Sequence, residues 1–226
     1  MATSDTSSTL EGAAPPNLPR VIAIEGNIGA GKSTVMAHLK ERFKGRDDIV
    51  FIDEPVDEWR DQGFLKRMYE DAGVRPAFQH MVLMSLAGDL LKALAAEPKP
   101  KYIITERSPW GNYHTFGKVN LKGDNFKMYE FTWKRIMGGL PAQLDARFIW
   151  LKVGYSKGDV GLLQGRMKKR QRDEEVAGVS ASYLEALEVA HEAWLEDELY
   201  MQPVNAISGE GDVARRANEA LDAWMD

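Results

Sequence analysis

The residues with the clearest chemistry lie between positions 22 and 34. There the apolar run Ile22-Ala23-Ile24 leads through Glu25 into Gly26-Asn27-Ile28-Gly29-Ala30-Gly31-Lys32-Ser33-Thr34, with the spacing G-x-x-x-x-G-K-S. Gly26, Gly29 and Gly31 let the backbone turn tightly, so successive N–H groups can converge on phosphate oxygens where a helix N-terminus adds partial positive charge. In such a loop Lys32 reaches the outer phosphates and the Ser33 hydroxyl can hold Mg2+. The flanks supply the required context, because 21–24 reads as a buried strand and 35–43 as an amphipathic helix. A glycine-rich turn without a ligand is the competing reading.

Three further groups of residues can act on such a phosphate. In Asp53-Glu54-Pro55-Val56-Asp57-Glu58-Trp59, Glu54 is the candidate base for an attacking hydroxyl, with Pro55 ending the preceding strand. The alternative is a solvated acidic loop before a helix N-terminus, where carboxylates are favoured. In Thr105-Glu106-Arg107-Ser108 the acidic side chain can serve Mg2+ and its water shell, and the guanidinium can clamp a hydroxyl or phosphate; a surface ion pair remains open. Arg166-Met167-Lys168-Lys169-Arg170-Gln171-Arg172 places five cations in seven residues, followed by Asp173-Glu174-Glu175. Arg166 and Arg170 share a helix face and can address one phosphate as a lid would, although a salt-bridged exposed helix fits the same pattern. Finally, Phe78, Val82 and Leu86 form one helical stripe, which suits a core as well as a pocket. Gln79 beside Phe78 can pair with a base edge while an aromatic ring, with Trp59 and Phe116 as further walls, covers its face.

The elements that must position these groups follow from the apolar periodicity. Short apolar runs at 21–24, 49–52, 102–105, 148–153 and 204–207 alternate with helical segments at 32–44, 63–71, 76–96, 125–137, 159–172, 180–199 and 212–225. That alternation predicts an α/β fold, a five-stranded parallel sheet with helices on both faces. In such sheets ligands bind beyond the carboxyl ends of the strands, where Gly26, Glu54 and Glu106 fall.

Composition narrows the classes. The 226 residues are 44% apolar with six Trp, enough for a sizeable core. There is no Cys, which excludes disulfides and thiolate-bound zinc and leaves Mg2+ as the metal to consider. The net charge of -5 argues against a general nucleic-acid partner. No apolar run reaches the roughly 18–20 residues that span a bilayer. Residues 1–19, rich in Ser, Thr, Ala and Pro with Asp5 and Glu11, match neither a secretory signal nor a transit peptide and are expected to be a disordered tail. The cytoplasm is the expected compartment.

Taken in order, Glu25 to Thr34, Glu54-Pro55-Val56 with Trp59, Met68-Tyr69, Phe78-Gln79, Glu106-Arg107-Ser108, Arg166 to Glu175, Tyr183-Leu184 and His191-Glu192-Ala193-Trp194-Leu195 resemble the deoxyribonucleoside kinases from about residue 20 to 199. The resemblance implies a P-loop kinase domain over 20–226 with an Arg-rich lid at about 164–178. It implies transfer of the ATP γ-phosphate to the 5′-hydroxyl of a deoxynucleoside, with Mg2+, in a homodimer. By resemblance, Glu54 is the base and Arg107 binds the same hydroxyl, while Tyr69 and Glu175 hold the sugar 3′-hydroxyl. Gln79 reads the base, Phe116 stacks on it, and Ile28, Val56, Trp59, Met68, Phe78 and Val82 wall the pocket. Lys32, Arg166, Arg170 and Arg172 surround the donor phosphates, and Ser33 and Glu106 serve Mg2+. Family members that accept purines, or cytidine together with purines, carry an Arg and an Asp where this chain has Leu86 and Asn112. The pocket therefore resembles the thymidine-preferring and broad pyrimidine members, which usually have a small apolar residue where Asn112 sits, and the resemblance implies a pyrimidine preference for thymidine and deoxycytidine. The segment 153–163 before the lid is longer and richer in Gly than the family's usual turn. A nucleoside monophosphate kinase of the thymidylate type, or a catalytically silent nucleotide-binding regulator, are the alternatives. The first typically shows Asp-Arg-Tyr or Asp-Arg-His where Glu106-Arg107-Ser108 stands.

Overall fold

The computed structural model describes residues 18–225 apart from 155, 171 and 208, so most of the expected tail lies outside the described residues. Five strands, β1 (Arg20–Gly26), β2 (Ile49–Ile52), β3 (Tyr102–Glu106), β4 (Ala146–Lys152) and β5 (Met201–Asn205), form one parallel sheet in the order β2-β3-β1-β4-β5. The central strand β1 is buried on both faces, as a near-continuous apolar run requires. Side chains alternate: Ile22 and Ile24 face one core with Val35, Met36 and Leu39, whereas Val21 and Ala23 face two smaller clusters on the other side. Each such fully buried Ile contributes about 1.5–3 kcal/mol relative to exposure.

Helix α1 (Lys32–Arg42), the last helix α11 (Glu210–Asp222) and α8 (Lys157–Arg170) pack into the first core through Val35, Leu39, Leu163, Ala217 and Leu221. Helix α4 (Arg75–Leu94) covers the other face, with Leu90 and Ala93 against Val21 and Ile103. After β3 the chain enters α5 (Pro109–Gly111), a π-helical stretch Asn112–Gly117 and α6 (Lys118–Asn120), then α7 (Gly123–Met137). Ser108 caps α5 by accepting from the Gly111 N–H at 3.0 Å. The connections after β1 and β3 thus leave neighbouring strands toward opposite faces, which opens a crevice at their carboxyl ends.

The five expected strands and seven expected helices all occur, with differences at their edges. The fifth strand lies at 201–205 rather than 204–207, because Gln202 and Pro203 hide it from an apolar scan; Pro203 is tolerated on this edge strand. The helix expected at 180–199 is α10 (Ala181–Leu195), and the one expected through 172 ends at Arg170. Sequence periodicity missed α2 (Val56–Asp61) and α9 (Asp173–Gly178), each too short to show a period, and the helical segment 109–120, whose π-helical middle breaks the 3.6-residue repeat. Helix α3 (Phe64–Glu70) completes the wall near the crevice. No helix among the described residues is long and apolar enough to cross a membrane.

Candidate active site

The loop after β1 adopts the turn that its glycines permit, with φ of 144° at Gly26, 77° at Gly29 and 102° at Gly31. A Cβ on Gly26 would meet the Leu151 carbonyl oxygen at 2.9 Å, so close approach to β4 and not φ alone requires glycine there. Lys32 folds back under the loop, its Nζ donating to the Gly26 and Asn27 carbonyls at 3.1 and 2.9 Å. Burial, together with the charge of Arg107, lowers the Lys32 ammonium to about 8 against the pull of Glu54 and Glu106. Asn27 does not face the crevice. Its Nδ2 donates to the Leu184 carbonyl and to Glu188, pinning the loop to α10.

Arg107 ties the ends of the strands together. Its backbone N–H donates to the Ile24 carbonyl at 3.1 Å, and its φ of 64° is the left-handed conformation that ends β3 and turns the side chain inward. Its Nε donates to Glu54 Oε1 at 2.8 Å, its Nη1 to the Gly26 carbonyl at 3.1 Å, and the guanidinium lies 4.4 Å from the Phe116 ring centroid. Burial acts to lower its pKa, but the carboxylates of Glu54, Glu25 and Glu106 outweigh that and hold it above its usual value. Ser33 Oγ donates to Glu106 Oε1 at 2.8 Å, bringing a hydroxyl and a carboxylate together at the loop. Burial, then the nearby Glu54 charge, raises the Glu106 carboxyl.

These groups open on one cavity of about 340 Å³, within the range of small-ligand sites. Of the expected residues, Ile28 to Thr34, Glu54, Val56, Trp59, Met68, Tyr69, Phe78, Gln79, Val82, Glu106, Arg107, Asn112, Phe116, Arg166, Arg170, Arg172 and Glu175 line it. Gly26 and Asn27 act from behind, through backbone and amide. Leu86 does not reach the cavity; it packs with Trp59, Met68 and Phe78 as the layer behind the wall. The cationic lining residues are Lys32, Arg107, Arg166, Lys169, Arg170 and Arg172, of which Lys32, Arg107 and Arg166 bond to loop carbonyls, while Gln79 and Asn112 add neutral amides.

The basic segment closes the cavity. Arg166 Nη2 donates to the Ala206 carbonyl at 2.8 Å and its Nη1 lies against the Gly29 and Ala30 carbonyls. Arg170 pairs with Glu175, Arg172 approaches the same carboxylate at 3.4 Å, and Arg172 lies 3.5 Å from Asp57 of α2. At Gly178 a Cβ would stand 2.5 Å from Tyr69 Cβ, so glycine is what lets α9 lie directly on α3.

Sequence reasoning assigned no role to Glu25, Glu188 or Tyr129. Glu25 is fully buried, accepts from Ser108 Oγ at 2.5 Å, and is pushed up to about 7 by burial against the pull of Arg107. Glu188 accepts from Asn27 and from the Val153 and Gly154 N–H groups. A signal existed for both: Glu25 interrupts an apolar strand, and Glu188 falls on the buried stripe of α10 with Leu184 and His191. Tyr129 gave none, being one aromatic among several on α7.

Among the described residues no cluster of three or more His, Cys, Asp or Glu is placed to hold a metal by itself. Beyond its geometry, the chain matches the deoxynucleoside kinase family over residues 22–223. It is 29% identical over 208 residues to the thymidine kinase of Ictalurid herpesvirus 1, spanning 89% of this chain and 85% of that one. It is 28% identical over 208 residues to deoxycytidine kinase 2 of Gallus gallus, spanning 79% and 75%. Deoxyadenosine kinase from M. mycoides, solved with dCMP and dCDP, superposes with a TM-score of 0.71 over 90% of this chain and 99% of that one at 23% identity, a likeness of fold.

Proposed function

Because the chain belongs to the deoxynucleoside kinase family, we propose that it moves the γ-phosphate of ATP to the 5′-hydroxyl of a pyrimidine deoxynucleoside, thymidine or deoxycytidine. The observation that carries this is the Arg107–Glu54 pair at 2.8 Å, which opens on the same cavity as the phosphate loop. In this reading Glu54 accepts the 5′-hydroxyl proton as that oxygen bonds to the γ-phosphorus. The bond from the γ-phosphorus to the bridging oxygen breaks, and ADP carries away its electron pair. Arg107 steadies Glu54 and the hydroxyl. The loop N–H groups, Lys32, Arg166, Arg170 and Arg172 hold the triphosphate and offset charge on the transferring oxygens. Tyr69 and Glu175 hold the sugar 3′-hydroxyl, Gln79 reads the base and Phe116 stacks on it. The Ser33 hydroxyl and Glu106 carboxylate are hard oxygen donors that suit Mg2+, which when bound neutralises phosphate charge. The segment 164–178 acts as the lid.

Supporting the pyrimidine preference, the polar groups beside Phe78 and Val82 are the amides of Gln79 and Asn112, and Leu86 stands where family members that accept purines carry an Arg. Steady-state competition among the four deoxynucleosides is expected to give thymidine or deoxycytidine a kcat/KM at least about tenfold above either purine. Activity confined to thymidine monophosphate would overturn the reading.

A homodimer fits the exposed apolar side chains Met84 and Leu91 of α4 and Met128 and Phe131 of the adjacent α7, the last two each 65% exposed. Sedimentation is expected to return twice the chain mass, and Phe131→Glu to shift it toward one. A monomer at micromolar concentration would remove this assembly.

A further inference from the structure

Behind the base end of the cavity, Gln79, Asn112 and Tyr129 form a buried hydrogen-bonded chain, exposed by 1%, 2% and 0% respectively. We infer that this chain, and Tyr129 in particular, decides which edge of a base the pocket accepts, an inference that rests on the reading that the base meets Gln79.

The direction of the chain follows from donor counting. Burial holds the Tyr129 hydroxyl far above the usual phenol range, so it remains protonated and must donate its single hydrogen. Its partner among the described residues is Asn112 Oδ1. That fixes the Asn112 amide with its oxygen toward Tyr129, and its Nδ2 therefore donates to Gln79 Oε1 at 3.1 Å. The Gln79 amide is in turn fixed, with its oxygen toward Asn112 and its NH2 group on the remaining side. Without the phenol, both amides could turn over at equal cost.

Tyr129 is itself held in place from several sides. Its ring is stacked with Tyr113 at 6.2 Å and meets the edge of His80 at 5.3 Å. A Cβ on Gly117 would stand 2.5 Å from Tyr129 Cε1, so the glycine in the π-helical stretch makes room for the ring. Asn112 belongs to the same stretch, which aims its side chain between α4 and α7.

An oriented amide discriminates because pyrimidine edges are mirror images in donor pattern. Thymine presents a carbonyl acceptor at C4 and an N–H donor at N3, whereas cytosine presents an amine donor at C4 and an acceptor at N3. In one pose, a Gln79 that cannot turn presents its NH2 group, which pairs with the acceptor of one base and opposes the donor of the other. Tyr129 does not line the cavity and is a positioning residue acting through Asn112 and Gln79.

The test measures kcat/KM for thymidine and deoxycytidine in the full-length protein and in Tyr129→Phe and Asn112→Asp. The parent is expected to favour one of the two by about tenfold or more. Tyr129→Phe keeps the ring and is expected to bring the ratio to within about threefold of unity, chiefly through KM. Asn112→Asp supplies acceptors only, so it must take the Gln79 NH2 group and turn Oε1 to the base, and the preference is expected to invert. A parent that prefers neither, or a Tyr129→Phe that lowers both substrates equally with the ratio unchanged, overturns the relay. A parent inactive on every deoxynucleoside instead overturns the functional reading beneath it.

Discussion

Glu54→Gln is expected to bind nucleoside within a few-fold of the parent while kcat falls by about two to four orders of magnitude, the scale of losing a positioned general base. Glutamine keeps the volume of the side chain and an oxygen that can still accept from Arg107 Nε, now 2.8 Å from Glu54 Oε1. The cavity wall and the guanidinium therefore keep their places. What the amide cannot do is take a proton from the attacking hydroxyl. Equilibrium binding of thymidine or deoxycytidine, followed by single-turnover phosphorylation with saturating ATP, separates the two effects. Turnover close to that of the parent would remove Glu54 from the base role. A matching loss of affinity would instead make it a substrate ligand.

Arg107→Met is expected to cost about 3–5 kcal/mol of stability in addition to activity, the usual penalty for removing one partner of a buried ion pair. Arg107 is 4% exposed and is the cation that Glu25, Glu54 and Glu106 share. The loss should depend on pH in a defined direction. Glu25 already sits near 7 when folded against 4.5 when free, so its contribution to stability is present at low pH and is lost as pH rises through about 7. Without Arg107 the folded-state values of Glu25 and Glu106, which its charge pulls down, rise further, and the folded protein holds protons that the unfolded chain releases. The deficit relative to the parent should be smallest below about pH 4.5, where these two groups are protonated in the folded protein, and largest at pH 8. Urea unfolding at pH 5 and pH 8 measures it. Equal deficits at the two pH values would show that Arg107 acts by packing, through Phe116 and the Gly26 carbonyl, and not by charge.

Much of the site was legible because its groups sit where local rules place them. A glycine-rich turn between a strand and a helix builds a phosphate cradle from backbone alone, so 26–34 could be read without any partner. Glu54, Glu106 and Arg107 follow strands, and a parallel sheet collects strand ends at one edge, so their convergence followed from the α/β alternation. The short helices α2 and α9 were not legible, since six residues show no period. Leu86 is expected at the pocket because it stands where family members carry an Arg, yet a leucine is too short to reach as a guanidinium would, and a full turn beyond Val82 along α4 it lies behind the wall.

The sequence by itself determined the parallel five-stranded sheet with helices on both faces, the glycine-rich loop after its first strand and most of the residues that line the cavity beside that loop. These depend on spacings of at most a few turns or on strand ends that any such sheet aligns. Only the tertiary structure decided how charge and hydrogen bonds are shared among them. Arg107 serves Glu25, Glu54 and Glu106 from three different segments, Gly178 lets α9 settle on Tyr69, and Tyr129 reaches Asn112 past Gly117. The donor direction that fixes Gln79 is a property of three residues on two helices and a π-helical turn. No periodicity records such a pairing, because burial and donor counting act on atoms that only the folded chain brings together.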